Sequence, residues 1–342
     1  MRKFDPENER LKLVYQDHLR HAEGLDHKTI DKAMAAIRQF EESTGCASFK
    51  RFRKDQAMAF KDWLDTARSK RTGKPLSKAT IASTLRAVRE FFRWAAGQRG
   101  YRATIGRGDW VYFKQPLKDA RAARASSPRK VPGIEQVARA FDAMPGATSL
   151  QKRDKALLAF LMLTGARIGA VASLRLKHVD MEQRHVFQDA REVNTKNAKT
   201  MNTTFFPMGE AYVVALADYL RHLKEDLMFG PEDAVFPKSE IRCGPNGFEV
   251  KGLSRDPFAS TGPLNEIVKD AFAAVQLPRY TPHSFRHMLA LYGDKACQTR
   301  EHFKAWSQNL GHEIVAITVS AYMPVTAEAQ RAIILGLGEE DK

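Results

Sequence analysis

Apolar positions recur at helical spacing along most of this chain and alternate at strand spacing only briefly near its middle. After a polar start, Ile30, Met34, Ile37 and Phe40 lie three or four residues apart. This spacing predicts a helix over Asp26–Thr44, with Asp26 as its cap and Gly45 as its stop. Phe60, Trp63 and Leu64 gather on one side of a second helical pattern, Lys54–Ala67, and the basic turn SKRTGKP follows it. A longer pattern runs from Ser77 to Ala96, with Ile81, Leu85, Val88, Phe91, Phe92 and Ala95 on one face, Ser77 as cap and Gly97 as stop. The stretch FKQPLKDARAARASSPRKVP, Phe113–Pro132, is basic, rich in Ala and Ser and broken by prolines. It reads as a connector, residues 111–132, between a helical domain at 15–110 and a second domain beginning at 133. In that second domain Gly133–Met144 is a short amphipathic helix. The run KALLAFLMLTG within Arg153–Thr164 predicts a buried helix ended by Gly165. His185–Asp189 and Thr203–Met208 read as short strands, with EVNTKNAKTMN between them as a turn or a short third strand. Helical spacing resumes over Glu210–Leu223, Leu264–Val275, Ser284–Asp294 and Arg300–Leu310. The expected class is mainly α with a small antiparallel β-sheet.

Composition narrows the partner. At 342 residues the chain exceeds what one core of about 100–200 residues needs, so two domains are expected. With 43% hydrophobic and 28% charged residues it has the make-up of a folded protein. The formal charge of +15 and a pI of about 9.7 favour a polyanionic partner. Nucleic acid suits this better than a membrane, because no apolar run approaches the roughly 20 residues that cross a bilayer. The basic start MRKFDPENERLK has no apolar stretch behind it, so a cytoplasmic protein, associated with the nucleoid, is expected. Cys46, Cys243 and Cys297 are few, distant and odd in number, which argues against a disulfide framework or a cysteine zinc site.

Several familiar chemistries find no residues here. There is no glycine pattern for dinucleotides or phosphate loops, no HExxH and no glycine-flanked serine elbow. No cofactor and no metal is expected. What remains is a set of basic residues beside turn signals. Arg167 follows the apolar helix in TGARIGAVASLRLKHVD. Lys196 and Lys199 stand in the polar turn between the strands. His283 and Arg286 lie one helical turn apart in HSFRH after Pro282. His312 follows Gly311, and Tyr322 comes ten residues later. Taken singly, each reads as well as a surface charge, a capping imidazole or a half-buried tyrosine.

Their order carries more. TGAR, a lysine in a strand-turn-strand segment, HxxRH, LGH and then a tyrosine resemble the catalytic domain of the tyrosine recombinases, over roughly Gly133–Thr326. The motifs TGARIG, PHSFRH and WSQNLGH followed by SAY hold most of the specificity. The helices at about 15–105 resemble that family's core-binding domain more weakly. The resemblance implies a two-domain clamp on double-stranded DNA recombination sites. It would be assembled as a tetramer on DNA, with accessory DNA-bending proteins as further partners. It implies Arg167 and Arg286 as the two catalytic arginines, with His283 and His312 beside them and Tyr322 as the nucleophile. Lys199 fits the family's lysine better than Lys196, because it stands at the better distance from Phe206-Pro207. The tail, 327–342, would be a helix docking in trans on a neighbouring copy.

The chemistry expected of that set is self-consistent. Two guanidiniums place charge-assisted donors on a phosphodiester whose non-bridging oxygens gain charge under attack. Imidazoles and cations favour loss of a phenol proton whose pKa is ordinarily about 10. A lysine protonates the leaving 5′-hydroxyl. The 3′-phosphotyrosine then conserves the bond for rejoining. Two departures stand out. An acidic residue common three positions after the first arginine is Ala170 here, and the interval from His312 to Tyr322 is one residue longer than usual. The competing readings are a non-catalytic DNA-binding protein and a type IB topoisomerase-like enzyme. Only about 20 residues precede the first clear helical pattern, so no separate arm-binding domain is expected; an integrase or resolvase of a mobile element fits best.

Overall fold

The structure, a computed structural model, describes residues 4–70, 72–106, 108–124, 130–244 and 247–312, with 315, 316, 319, 330 and 331 beyond; at 121–124 it describes the backbone only. It divides into two compact units, Met1–Ser127 and Pro128–Lys342. Tyr322 lies outside the described residues, as does the tail apart from 330 and 331.

The first unit is helical: α1 (Pro6–His21), α2 (His27–Thr44), α3 (Lys54–Thr66), α4 (Lys78–Ala95) and α5 (Leu117–Arg124), with single 3-10 turns at Phe49–Arg51 and Asp109–Phe113. Asp26 and Ser77 cap α2 and α4 through their side chains, and Gly45 ends α2 at φ 62°, as the sequence predicts. Seven phenylalanines, Phe40, Phe49, Phe52, Phe60, Phe91, Phe92 and Phe113, form the centre of the core. Their rings mix edge-to-face and stacked pairs, such as Phe40 on Phe92 at 5.0 Å and Phe52 on Phe92 at 3.9 Å.

Two features differ from the sequence reading. The polar start is a helix, α1, capped by Asp5, whose side chain accepts from the backbone of Glu7 and Asn8. Its inward stripe of Leu11, Tyr15 and Leu19 is interrupted by buried Asn8 and Lys12, which disguises the period. Both polar groups are satisfied. Lys12 Nζ pairs with Glu41 at 2.6 Å, while Asn8 donates to Ala47 O and accepts from Phe49 N. The stretch read as a connector also has structure, because Phe113 is buried in this core and α5 follows it.

The second unit contains α6 (Ile134–Ala143), α7 (Ser149–Thr164) and the short α8 (Ile168–Val171). A sheet follows, of β1 (Val179–Asp180), β2 (His185–Gln188) and β3 (Met201–Thr204), then α9 (Glu210–Arg221). Next come a hairpin of β4 (Pro237–Gly244) and β5 (Gly247–Pro257), then α10 (Gly262–Ala274), α11 (Pro282–Ala296) and α12 (Arg300–Asn309). Every residue of α7 from Ala156 to Leu163 is buried, so this helix is the axis of the unit. The class is mostly helical with small antiparallel sheets, as expected.

The strand bounds shift. β3 spans Met201–Thr204 and pairs with β2, Val186 opposite Thr203; the sequence had suggested Thr203–Met208. Phe205 and Phe206 leave the ladder for the core, with Phe206 N bonded to Leu163 O, and Pro207 cannot donate to a ladder. The third strand of the sheet is β1, upstream, rather than the polar turn. The β4–β5 hairpin was not foreseen: its strands carry too little apolar burial to show a clear period.

Candidate active site

Three devices bring separated residues to one place. The first is the end of α7. Gly165, at φ 56°, turns the chain sharply out of the core. Thr164 Oγ1 donates to Phe160 O and accepts from Ala166 N, so the turn is held from inside. Arg167 follows as the N-terminal flanking residue of α8, half-buried at the rim. The second is the β2–β3 connection. Asn197 and Ala198 both adopt positive φ, 59° and 48°, a costly conformation for residues with a Cβ. This tight bend sets Lys196 and Lys199 on either side of it.

The third device is the junction of α11 and α12. Pro282 occupies the first turn of α11, which carries His283 exposed at its start and Arg286 buried one turn on. Trp306 of α12 donates to Leu289 O at 2.9 Å and rests on Phe206 at 4.5 Å. Asn309 closes α12 onto the sheet, accepting from Thr204 N and donating to Thr204 O, both at 2.8 Å. Leu310 and Gly311 follow, the latter at φ 76°, and deliver His312.

Arg286, only 3% exposed, joins these devices. Its guanidinium donates to Gly165 O at 3.2 Å, to Leu310 O, and to His312 Nε2 at 2.8 Å. The end of α7 and the end of α12 are thus held by one side chain. In front lies a cleft of about 210 Å³ lined by Arg167, Lys196, Lys199 and His312 with Ala170, Gln188, Thr195, Asn197, Met201 and Gly311. Among the described residues that line it are three cations and no carboxylate. Among the described residues no hydrogen-bond acceptor pairs with Arg167. Burial, then the charges of Arg286, Arg167 and Lys199, lower the His312 pKa from 6.5 to about 4, so the imidazole is neutral at pH 7. Because its Nε2 accepts from Arg286, its proton is assigned to Nδ1.

Of the residues picked from sequence, Arg167, Lys199 and His312 line the cleft, as does Lys196, and Arg286 stands directly behind His312. His283 is exposed and does not line it. Sequence reading missed Asn309, Gln188 and Thr195. Asn309 was visible inside WSQNLGH, but only its tie to Thr204 gives it a role. Among the described residues no group of three or more His, Cys, Asp or Glu side chains is placed to hold a metal ion, and no described helix is long and apolar enough to cross a membrane.

A model of the phage integrase family matches residues 134–328, more than half of the chain. The chain belongs to the phage integrase family. It is similar to the tyrosine recombinase XerC of Ralstonia pickettii, 28% identical over 258 residues, which cover 72% of this chain and 69% of that one. It is also similar to the XerC of Roseiflexus castenholzii, 24% identical over 242 residues, covering 71% and 67%. The fold matches that of a lambda integrase dimer bound to a COC′ core site, with a TM-score of 0.61 at 16% identity, over 92% of this chain and 95% of that one. The protein is accordingly a site-specific recombinase of the tyrosine type, an enzyme that breaks and rejoins DNA.

Proposed function

We propose that this phage integrase family member recombines the ends of a mobile element through a 3′-phosphotyrosine formed on Tyr322. The observation that carries the reading is the cleft where Arg167, Lys199 and His312 converge, with Arg286 bonded to His312 behind them. Arg167 donates to the non-bridging oxygens of the scissile phosphodiester, and Arg286, just behind His312, adds its charge to stabilise what grows on them. The surrounding cations favour the phenolate, whose proton passes to water, and His312, with Nε2 engaged by Arg286, turns its Nδ1–H outward as a hydrogen-bond donor to the phenolate oxygen. Lys199, at the mouth of the β2–β3 bend, gives a proton to the departing 5′-oxygen. His283, exposed at the head of α11, contacts the DNA side of the same centre. The phosphotyrosine is later attacked by a 5′-hydroxyl, which restores the phosphodiester and frees Tyr322.

The first unit also binds double-stranded DNA, and four copies gather on the sites, their tails docking on neighbours, with DNA-bending proteins assisting. The motifs WSQNLGHE and HSFRHMLA support a mobile element as the substrate. Such a protein works in the cytoplasm, on the nucleoid.

A suicide duplex nicked beside the cleavage position tests the chemistry. Wild-type protein becomes covalently attached, while Tyr322→Phe binds without attachment; attachment of the variant would exclude Tyr322 as nucleophile. Lys199→Ala regains cleavage on a duplex with a sulfur leaving group, which needs little protonation, and rescue of Lys196→Ala instead would reverse the lysines. Sequencing the trapped DNA separates the ends of a mobile element from a chromosomal dimer-resolution site.

A further inference from the structure

The β4–β5 hairpin has two dissimilar faces. Ile241 pairs with Val250 and Cys243 with Phe248, so these four side chains share one face. Arg242 pairs with Glu249 on the other, where Glu240 and Lys251 complete two ion pairs, Arg242–Glu240 at 2.8 Å and Lys251–Glu249 at 2.9 Å. The apolar face is uncovered: Phe248 is 85% exposed, Ile241 61% and Val250 55%, with Cys243 exposed between them. Scattered apolar side chains need no explanation, but a contiguous set on one side of a ribbon marks a contact surface.

We infer that this face packs against the same face of a second copy of the chain when DNA holds the two copies together. The inference rests on the proposed function, in which several copies share one DNA assembly. Charge favours a protein partner over DNA. The chain carries +15, yet the hairpin's four basic and three acidic side chains nearly cancel, and its three acids are paired within it. A near-neutral patch is also where two strongly basic copies approach with least repulsion.

Area argues for DNA-held pairing. The exposed parts of Phe248, Ile241 and Val250 amount to roughly 350 Å², less than half of the ~800 Å² per partner of a stable specific interface. Copies free in solution stay apart, whereas tethering on one DNA raises their effective concentration toward the millimolar range. A face that meets itself does so about a two-fold axis, which brings Cys243 opposite Cys243.

That cysteine supplies the test. In the full chain with Cys46→Ser and Cys297→Ser, a short bis-maleimide links Cys243 to Cys243 on a duplex carrying the covalently trapped sequence in full. The linked fraction exceeds that without DNA, or on a half-length duplex, by at least about tenfold. Phe248→Asp, at an exposed position, abolishes the link and lowers cooperative loading by about tenfold or more, leaving single-copy binding unchanged. If several copies load but do not link, and Phe248→Asp loads as well as wild type, the face is not a self-contact and the recombinase reading stands. Weakened single-copy binding by Phe248→Asp would make the face a DNA contact instead, overturning the inference. If no duplex is ever trapped covalently, the functional reading fails and the inference falls with it.

Discussion

Lowering the pH from 7 to 5 should weaken the catalytic unit through one residue, His312. Its pKa is about 4 in the folded protein and 6.5 ordinarily, because burial and the nearby charges of Arg286, Arg167 and Lys199 oppose protonation. Between these values the unfolded chain binds a proton that the folded chain refuses. Stability from this group is therefore complete above pH 6.5 and lost as pH falls toward 4. The linkage relation gives a loss of about 2 kcal/mol between pH 7 and 5, and about 3 kcal/mol once pH is below 4. Trp306 is the only one of the four tryptophans in the second unit, so with Trp63→Phe, Trp94→Phe and Trp110→Phe its fluorescence reports that unit alone. Urea unfolding at pH 7 and 5, in this background with and without His312→Asn, isolates the residue from the other titrating groups. The variant should lose about 2 kcal/mol less than its parent across the interval. Equal losses in the two proteins would show that His312 titrates normally, and the charge environment argued for the cleft would be wrong.

The two arginines should differ in what they hold together. Arg167→Ala and Arg286→Ala are each expected to slow single-turnover cleavage by about 10²–10³-fold. Only Arg286→Ala should also destabilise the second unit, by about 2–5 kcal/mol in urea, since it strands the buried Gly165 and Leu310 carbonyls. Asn309→Asp loses the donor to Thr204 O, so unfolding should cost about 1–2 kcal/mol less and cleavage should fall, while DNA affinity measured by anisotropy changes little. In the first unit, Glu41→Ala leaves Lys12 only Glu9 as a partner and removes an acceptor of Asn8 Nδ2, and should cost about 1–3 kcal/mol by urea unfolding, whereas Lys12→Met with Glu41→Leu should restore most of it.

Much of the helical fold was legible because its signals are local. Asp26 and Ser77 cap, Gly45 and Gly165 stop, and the stripe from Ile81 to Ala95 has one period. What escaped was set by distant partners. Helix α1 hides Lys12 in its buried face because Glu41, far along the chain, neutralises it. The β4–β5 hairpin is stabilised by its own ladder and ion pairs, so its strands need no buried alternation. The site residues were legible through motif order, and the cleft joins His312 to Arg167 and Lys199, which lie more than a hundred residues before it. Motif order does not reveal Asn309's tie to Thr204, nor that Arg286 would spend its donors on Gly165 and Leu310.

Arg286 is a structural tie as much as a charge: it fixes the ends of α7 and α12 and orients His312, which burial first and then the charge of Arg286 keep neutral. Arg167, on a turn held by Thr164 rather than by bonds to its own guanidinium, keeps its donors for whatever enters the cleft. Lys196 and Lys199 add like charges to the same space, on a bend that already carries two strained residues. Arg167, Lys196 and Lys199 together concentrate positive charge in the cleft. On the function proposed for this site, that charge attracts a phosphodiester and holds it more strongly as charge grows on its oxygens during attack. Such an arrangement favours the transition state over the bound substrate, the condition for accelerating a reaction rather than only gripping DNA.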